Sequence, residues 1–349
     1  MFHKTRQKFT VLFVALAATC LLVVPGCGDD SSSDTTEALS TTTVALATTT
    51  TVTPTTTVAP EPVEKPLIVV TTNILGDVVG KAVGDLFDVE TIMPPGADPH
   101  VFQASAKQVD RMMKADLLVV NGANFEEGLL DVIKGAESDG VKVFEAIDSV
   151  DPLEDNDKEE GHDDHHGHDH GGVDPHFFTD PGRMAQVVKQ LSDFLVLNFP
   201  EIDEKDLVSH MTDYSKKLED LDSEVMQTLS SIPTGSRVMV TNHEVFAYFA
   251  ESYEFEILGT IIPSSSTLSN TSAKDLVDLA EKMKAEGVPA VFVDASSSDA
   301  LAEALAGEVD GVEVVSLFSE SLGAENTAGS TYIDMVRTNS ELIASALTG

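Results

Sequence analysis

After Pro66 the apolar positions fall into short blocks separated by amphipathic stretches. Leu67-Ile68-Val69-Val70 is a continuous apolar run, the pattern of a strand buried on both faces. The blocks that follow predict a helix over Ile74–Val83, a strand over Val89–Met93 and a helix over Ala106–Met113. A strand at Asp116–Asn121, a helix at Phe125–Ile133 and a strand at Val141–Phe144 complete the first round. A second round begins at Val238-Met239-Val240, then a helix at Val245–Tyr253 and a strand at Phe255–Leu258. Next come a helix at Ala273–Glu286, a strand at Ala290–Asp294, a helix at Asp299–Ala306, a strand at Val312–Ser316 and a closing helix at Thr331–Ala346. Strands alternating with helices of this length imply mostly parallel sheets covered on both faces.

Between the two rounds the rhythm changes. Leu207, Met211, Tyr214, Leu218, Leu221, Val225, Leu229 and Ile232 recur at helical spacing, with Asp203 as a candidate N-cap and Pro233 and Gly235 as stops. A helix from Asp203 to Ser231 is about 43 Å long. A coiled-coil segment would show the same stripe, but a single stretch with another helix just upstream favours packing within the chain. The expected fold class is therefore α/β, with two Rossmann-like lobes of parallel sheet joined by one long backbone helix. The lobes span 66–200 and 235–349, and the linking helix lies within 201–234.

The front of the chain differs in kind. Lys4, Arg6 and Lys8 precede an apolar run from Phe9 to Val24, as in an export signal over 1–26. Val24-Pro25-Gly26-Cys27 resembles a bacterial lipoprotein box, so Cys27 is the expected lipidation site and the anchor to the cell membrane. Cys20 falls inside the leader, which leaves the processed chain one cysteine and no internal disulfide. Residues 27–65, rich in Thr, Ser, Ala, Val and Pro, read as a lipidated cysteine with a disordered stalk.

Charge narrows the partners. A formal net charge of −38 excludes a nucleic-acid role, because phosphate binding needs clustered Lys and Arg. The same surface attracts cations.

The 10 histidines then separate by position. His3 lies in the leader, and His210 sits beside the stripe of the long helix as a solvated side chain. His162, His165, His166, His168 and His170 crowd into an acidic, helix-poor tract within 151–172. Such a loop offers several weak, overlapping sites for a borderline-soft metal. A hydrolase motif H-x-H-x-D-H fails there, because Gly167 takes the third position. Three histidines remain: His100 after Pro94-Pro95-Gly96-Ala97-Asp98-Pro99, His176 in Val173-Asp174-Pro175-His176, and His243 in Thr241-Asn242-His243. His100, His243 and Glu320 follow strand ends, the edge where open parallel sheets bind ligands. His176 comes from a long loop that sequence alone does not place.

Four stretches in order, Pro95–Phe102, Asp174–Pro181, His243–Tyr253 and Leu317–Asn339, are similar to those of the bacterial solute-binding proteins of zinc and manganese ABC importers, cluster A-I. The resemblance covers the chain beyond the stalk. It implies a metal clamped between the lobes by His100, His176 and His243, with Glu320 where the family commonly has Asp. It also implies delivery to an ABC permease with its cytoplasmic ATPase, by a monomeric extracytoplasmic carrier and no enzymatic turnover.

Three imidazoles and one carboxylate suit near-tetrahedral Zn2+, whereas Mn2+ favours more oxygen ligands. Manganese members often replace the third His with a carboxylate; His243 is retained here, and a His-rich loop between the first and second ligand stretches occurs mainly in zinc members. Zinc is the expected cargo, with manganese as the alternative. A zinc hydrolase would need a general base beside an open metal position, and no H-E-x-x-H pattern is present. A surface metal-sequestering or adhesion protein could use the same fold.

Overall fold

The computed structural model describes residues 64–154 and 172–349. The expected leader, Cys27, the stalk up to 63 and the five clustered histidines lie outside the described residues.

In the first lobe β1 (Leu67–Val70), α1 (Asn73–Val83), β2 (Asp88–Thr91), α2 (Ala106–Met113), β3 (Leu117–Val120), α3 (Leu130–Ser138) and β4 (Lys142–Glu145) follow in sequence. Helices α4 (Pro181–Asn198) and α5 (Glu204–Leu229) lead to the second lobe. There β5 (Val238–Thr241), α6 (Ala247–Tyr253), β6 (Glu256–Thr260), α7 (Ala273–Glu286), β7 (Ala290–Asp294), α8 (Ala300–Glu308), β8 (Glu313–Leu317) and α9 (Tyr332–Thr348) complete the chain. Both sheets are four-stranded and parallel, ordered β2-β1-β3-β4 and β6-β5-β7-β8. The winding reverses between β1 and β3, and again between β5 and β7. The carboxyl ends at these reversals form a crevice in each lobe.

The cores explain how the lobes are joined. In β1, Ile68 and Val70 face one way and Val69 the other, following the two-residue period of a strand. Val69 joins Leu118, Met112 and Ile133 in a core private to the first lobe. Val240, Val291, Leu279 and Leu305 do the same in the second. Ile68 and Val70, however, belong to one continuous core that also contains Met239 of β5, Tyr332 of α9 and the whole stripe of α5.

Helix α5 starts where its sequence says, with Asp206 N–H donating to the Asp203 carboxylate at 2.9 Å. Its 26 residues give about 39 Å of length. It packs on α1 and α4 of the first lobe and on α9 of the second, so its seven buried apolar positions tie both lobes to one stiff rod.

One predicted element shifts. The helix expected over Phe125–Ile133 begins only at Leu130. Gly122, Ala123 and Asn124 take positive φ just before it, and Glu126, at φ −86° and ψ 61°, lies outside the helical region, so a 3-10 turn at Glu127–Leu129 precedes α3. The fully buried Glu126 carboxylate accepts from Thr71 Oγ1 and Asn121 N–H, each at 2.6 Å, pinning the turn to the ends of β1 and β3. Burial pushes this carboxyl above its ordinary range, with those hydrogen bonds opposing. Among the described residues no helix is long and apolar enough to cross a membrane.

Candidate metal centre

His100, His176, His243 and Glu320 converge between the lobes, and one ligand atom from each lies within 4.8 Å of all the others. None is more than 3% exposed. His100 comes from the loop after β2, His243 from the turn after β5 and Glu320 from the loop after β8. His176, which sequence left unplaced, is fixed from both lobes. Asn121 Nδ2 of the first lobe donates to Pro175 O at 2.9 Å, and Tyr248 Oη of the second donates to Asp174 O at 2.6 Å.

The three rings surround one carboxylate oxygen. Glu320 Oε1 is 2.8 Å from His100 Nε2, 3.0 Å from His243 Nε2 and 3.4 Å from His176 Nε2. The first two are hydrogen bonds; the third is close but not aligned as one. Tetrahedral zinc at bonds of about 2.0–2.2 Å separates its ligand atoms by about 3.3–3.6 Å. An outward shift of a few tenths of an ångström at His100 and His243 would open that geometry.

Each imidazole is held differently from behind. His100 directs Nδ1 at Glu127 Oε1 at 3.1 Å. His176 Nδ1 meets Asp174 Oδ1 at 2.8 Å, and the same oxygen accepts the His176 backbone N–H at 2.8 Å. Carboxylates in this position fix the tautomer and strengthen an imidazole as a ligand. His243 Nδ1 is buried with no hydrogen-bond partner among the described residues; its loop is set instead by Thr241 Oγ1 donating to His243 O at 2.7 Å. The Phe125 ring stands edge-on to His100 and His176, 5.2 and 5.5 Å away, and closes the apolar side.

Glu320 is fixed through its backbone. Asp294, ending β7, accepts the Ser319 and Glu320 N–H groups at 3.1 and 3.2 Å. Asn73, opening α1 in the first lobe, donates to Ser321 Oγ at 2.8 Å and accepts Leu322 N–H at 2.7 Å. The loop carrying the carboxylate is thus clamped onto the opposite lobe.

Charge at the centre follows from this geometry. Burial alone would lower the His100 pKa, but Glu127, Glu320 and Asp98 push it up to about 10. His176 is also raised, because Asp174 and Glu320 outweigh its burial. Burial would raise the Glu320 carboxyl, yet the three imidazoles hold it well below the ordinary carboxylate range. Glu127 is lowered as well, first by its bond with His100. Without a cation, imidazole protons directed at Glu320 supply the positive charge that this carboxylate demands.

Comparison with known proteins places the chain in a family. The profile described as "ZnuA: Zinc-uptake complex component A periplasmic" matches residues 68–346. The chain belongs to this zinc-uptake component A family. The zinc-binding protein TroA of Treponema pallidum is 30% identical over 289 residues, covering 81% of this chain and 89% of that protein. The solved structure of the periplasmic zinc-binding protein TroA superposes with a TM-score of 0.70 at 28% identity, over 81% of this chain and 99% of the other. The manganese ABC transporter substrate-binding lipoprotein PsaA of Streptococcus anginosus is 27% identical over 295 residues, covering 81% of this chain and 90% of that protein.

Within this zinc-uptake family chain, most of the residues behind the ligands are unmarked in the sequence. Glu127, Asp294 and Asn73 carry no local signal, since each meets the site only through tertiary contact. Asp174 did carry one. Asp98-Pro99-His100 and Asp174-Pro175-His176 are the same tripeptide, and in both the Asp side chain accepts the N–H of the His two residues on, at 2.9 and 2.8 Å. That side-chain turn presets the histidine backbone. His210 is exposed on α5, away from the centre.

Proposed function

We propose that this protein captures zinc outside the cytoplasm through His100, His176, His243 and Glu320 and delivers it to an ABC permease driven by a cytoplasmic ATPase. The observation that carries the reading is the convergence of three buried imidazoles and one buried carboxylate within 4.8 Å. Three nitrogens with one oxygen favour zinc over manganese. The relative TroA is named a zinc-binding protein, while PsaA is named for manganese. A catalytic zinc keeps an open position for water, whereas here protein groups can fill all four positions, which supports a carrier without turnover.

The chain acts as a monomer tethered by lipid on Cys27, after removal of 1–26, with 27–65 as a stalk. The lobes at 66–200 and 235–349 grip the metal from either side of the 201–234 helix. The loop at 151–172, with His162, His165, His166, His168 and His170, gathers metal weakly. Because α5 and the shared core hold the lobes together, release follows a modest shift at the mouth of the site, driven by a permease that favours the metal-free form.

Dialysis of the purified protein against equal zinc and manganese, followed by elemental analysis, tests the cargo. Zinc retained in the tight site supports the reading; manganese retained in its place moves the assignment to manganese. No retained metal overturns the carrier role. Loss of zinc uptake on deleting the gene, restored by the intact chain, tests the delivery step.

A further inference from the structure

Two first-lobe carboxylates stand between the metal centre and solvent, and each holds two things at once. Glu127 Oε1 faces His100 Nδ1 and also accepts the Ser266 hydroxyl of the second lobe. Asp98 Oδ1 accepts the His100 backbone N–H at 2.9 Å, while its Oδ2 accepts Thr267 Oγ1 at 2.9 Å. His100 is therefore held, at its ring by Glu127 and at its backbone by Asp98, by the same two groups that reach across to the other lobe.

The crossing segment is shaped for this contact. Ser266 N–H donates to Ser264 Oγ at 3.1 Å and Leu268 N–H donates to Ser266 Oγ at 3.2 Å. Ser264 O in turn accepts Glu244 N–H at 3.0 Å, which roots the segment directly beside His243. A cavity of about 340 Å³ leads from the surface to His100 between Phe125, Glu127, Pro175 and Ser266. The half-buried Glu127 stands on its wall.

We propose that Ser266 and Thr267 form a latch that closes the mouth of the site by gripping Glu127 and Asp98, and that the metal leaves when this latch opens. The inference rests on His100 being a ligand, and deepens the carrier reading by naming the gate. Glu127 and Asp98 act as positioning residues, so holding His100 and closing the mouth become one event.

Two other bonds between the lobes are set deeper than this one. Tyr332 Oη to Phe178 O at 2.9 Å and Tyr248 Oη to Asp174 O lie within buried packing. The continuous core along α5 backs them. The bonds that carry Ser266 and Thr267 across to the first lobe join hydroxyls to carboxylates within reach of water, and water can replace such bonds with little loss.

The double variant Ser266→Ala/Thr267→Val in the full chain tests the latch. Zinc-loaded protein is mixed with excess chelator, and both dissociation and association rates are followed by stopped flow. The latch predicts dissociation about tenfold faster or more, one tight zinc retained, and association unchanged or faster, in the range seen when outer supports of a metal site are lost. Slowed association would mean a distorted site and would overturn the latch. So would dissociation at the wild-type rate with one zinc bound, a result that leaves the carrier reading standing. Ser223→Ala/Thr228→Val on the exposed face of α5 is the control and leaves both rates unchanged.

A second arm needs no metal. In the metal-free protein, Asp98→Ala/Glu127→Ala should speed amide exchange at Ser266 and Leu268 several-fold. Unchanged exchange there overturns the latch on its own. Failure of the wild-type chain to take zinc would instead overturn the carrier reading, and this arm would still decide whether the segment is latched.

Discussion

Raising the pH should tighten zinc binding well beyond the range in which an ordinary histidine titrates. With an unperturbed imidazole near about 6.5, proton competition would fade above roughly pH 7. His100 departs from that, its pKa pushed from 6.5 up to about 10 by Glu127, Glu320 and Asp98 despite burial. A difference of about 3.5 units corresponds to roughly 5 kcal/mol favouring the protonated, metal-free site. At pH near 7 only about one site in a thousand is then free of this proton, so apparent affinity lies about a thousandfold below its limit. It should rise about tenfold per unit between roughly pH 7 and 9. The stability of the metal-free fold moves oppositely. A raised His100 contributes stability fully present below about 6.5 and lost as pH rises through about 10. The lowered Glu320 contributes stability that is present above its ordinary range and lost as pH falls towards its depressed value. Competitive zinc titration at several pH values, with calorimetry in two buffers of different ionisation enthalpy, measures both slope and protons released. Flat affinity between about pH 7.5 and 9, with no proton released, would refute the reasoning.

Three further outcomes follow from particular contacts. Asp174→Ala removes the group that holds His176 Nδ1 and its N–H, and should weaken zinc binding about 10–100-fold, roughly 1.4–2.7 kcal/mol; titration within twofold of wild type would deny it that role. Leu218→Ala empties a fully buried position of α5 in the core shared by both lobes, and should lower stability by about 2–5 kcal/mol in one cooperative transition; two separate melting steps would contradict the shared core. Cys27→Ala should abolish lipid labelling and move the protein to the soluble fraction, and retained labelling would end the lipid-anchor proposal.

Much of the architecture was legible because burial writes itself into sequence where it is periodic. β1, β3 and β7 are covered on both faces and so read as unbroken apolar runs. Helix α5 showed because its stripe must face two lobes over its whole length. The start of α3 was not legible: Phe125 looks like a helix residue, but its ring serves His100 and His176, and left-handed turns at Ala123 and Asn124 depend on the anchored Glu126. His100, His243 and Glu320 stood out by residue type at strand ends, and His176 by family resemblance. Their supports did not, because Glu127 meets His100 across 27 positions and Asn73 meets Leu322 across 249. Contacts at such separation leave no local pattern. The repeated Asp-Pro-His tripeptide is the exception, a local signal for a backbone shape that both sites share.

The central claim is that His100, His176 and His243 hold one metal ion together. Competitive zinc titration of the protein lacking Gly161–Gly172, alongside its three single His→Ala variants and His210→Ala, tests it most directly. The account predicts one tight site in the loop-deleted protein and a loss of at least about tenfold, roughly 1.4 kcal/mol, for each of the three replacements. Glu320→Ala should also weaken binding, while His210→Ala should match the parent. Parent-like affinity in two or more of the three histidine variants would contradict the site, whatever the fold around it.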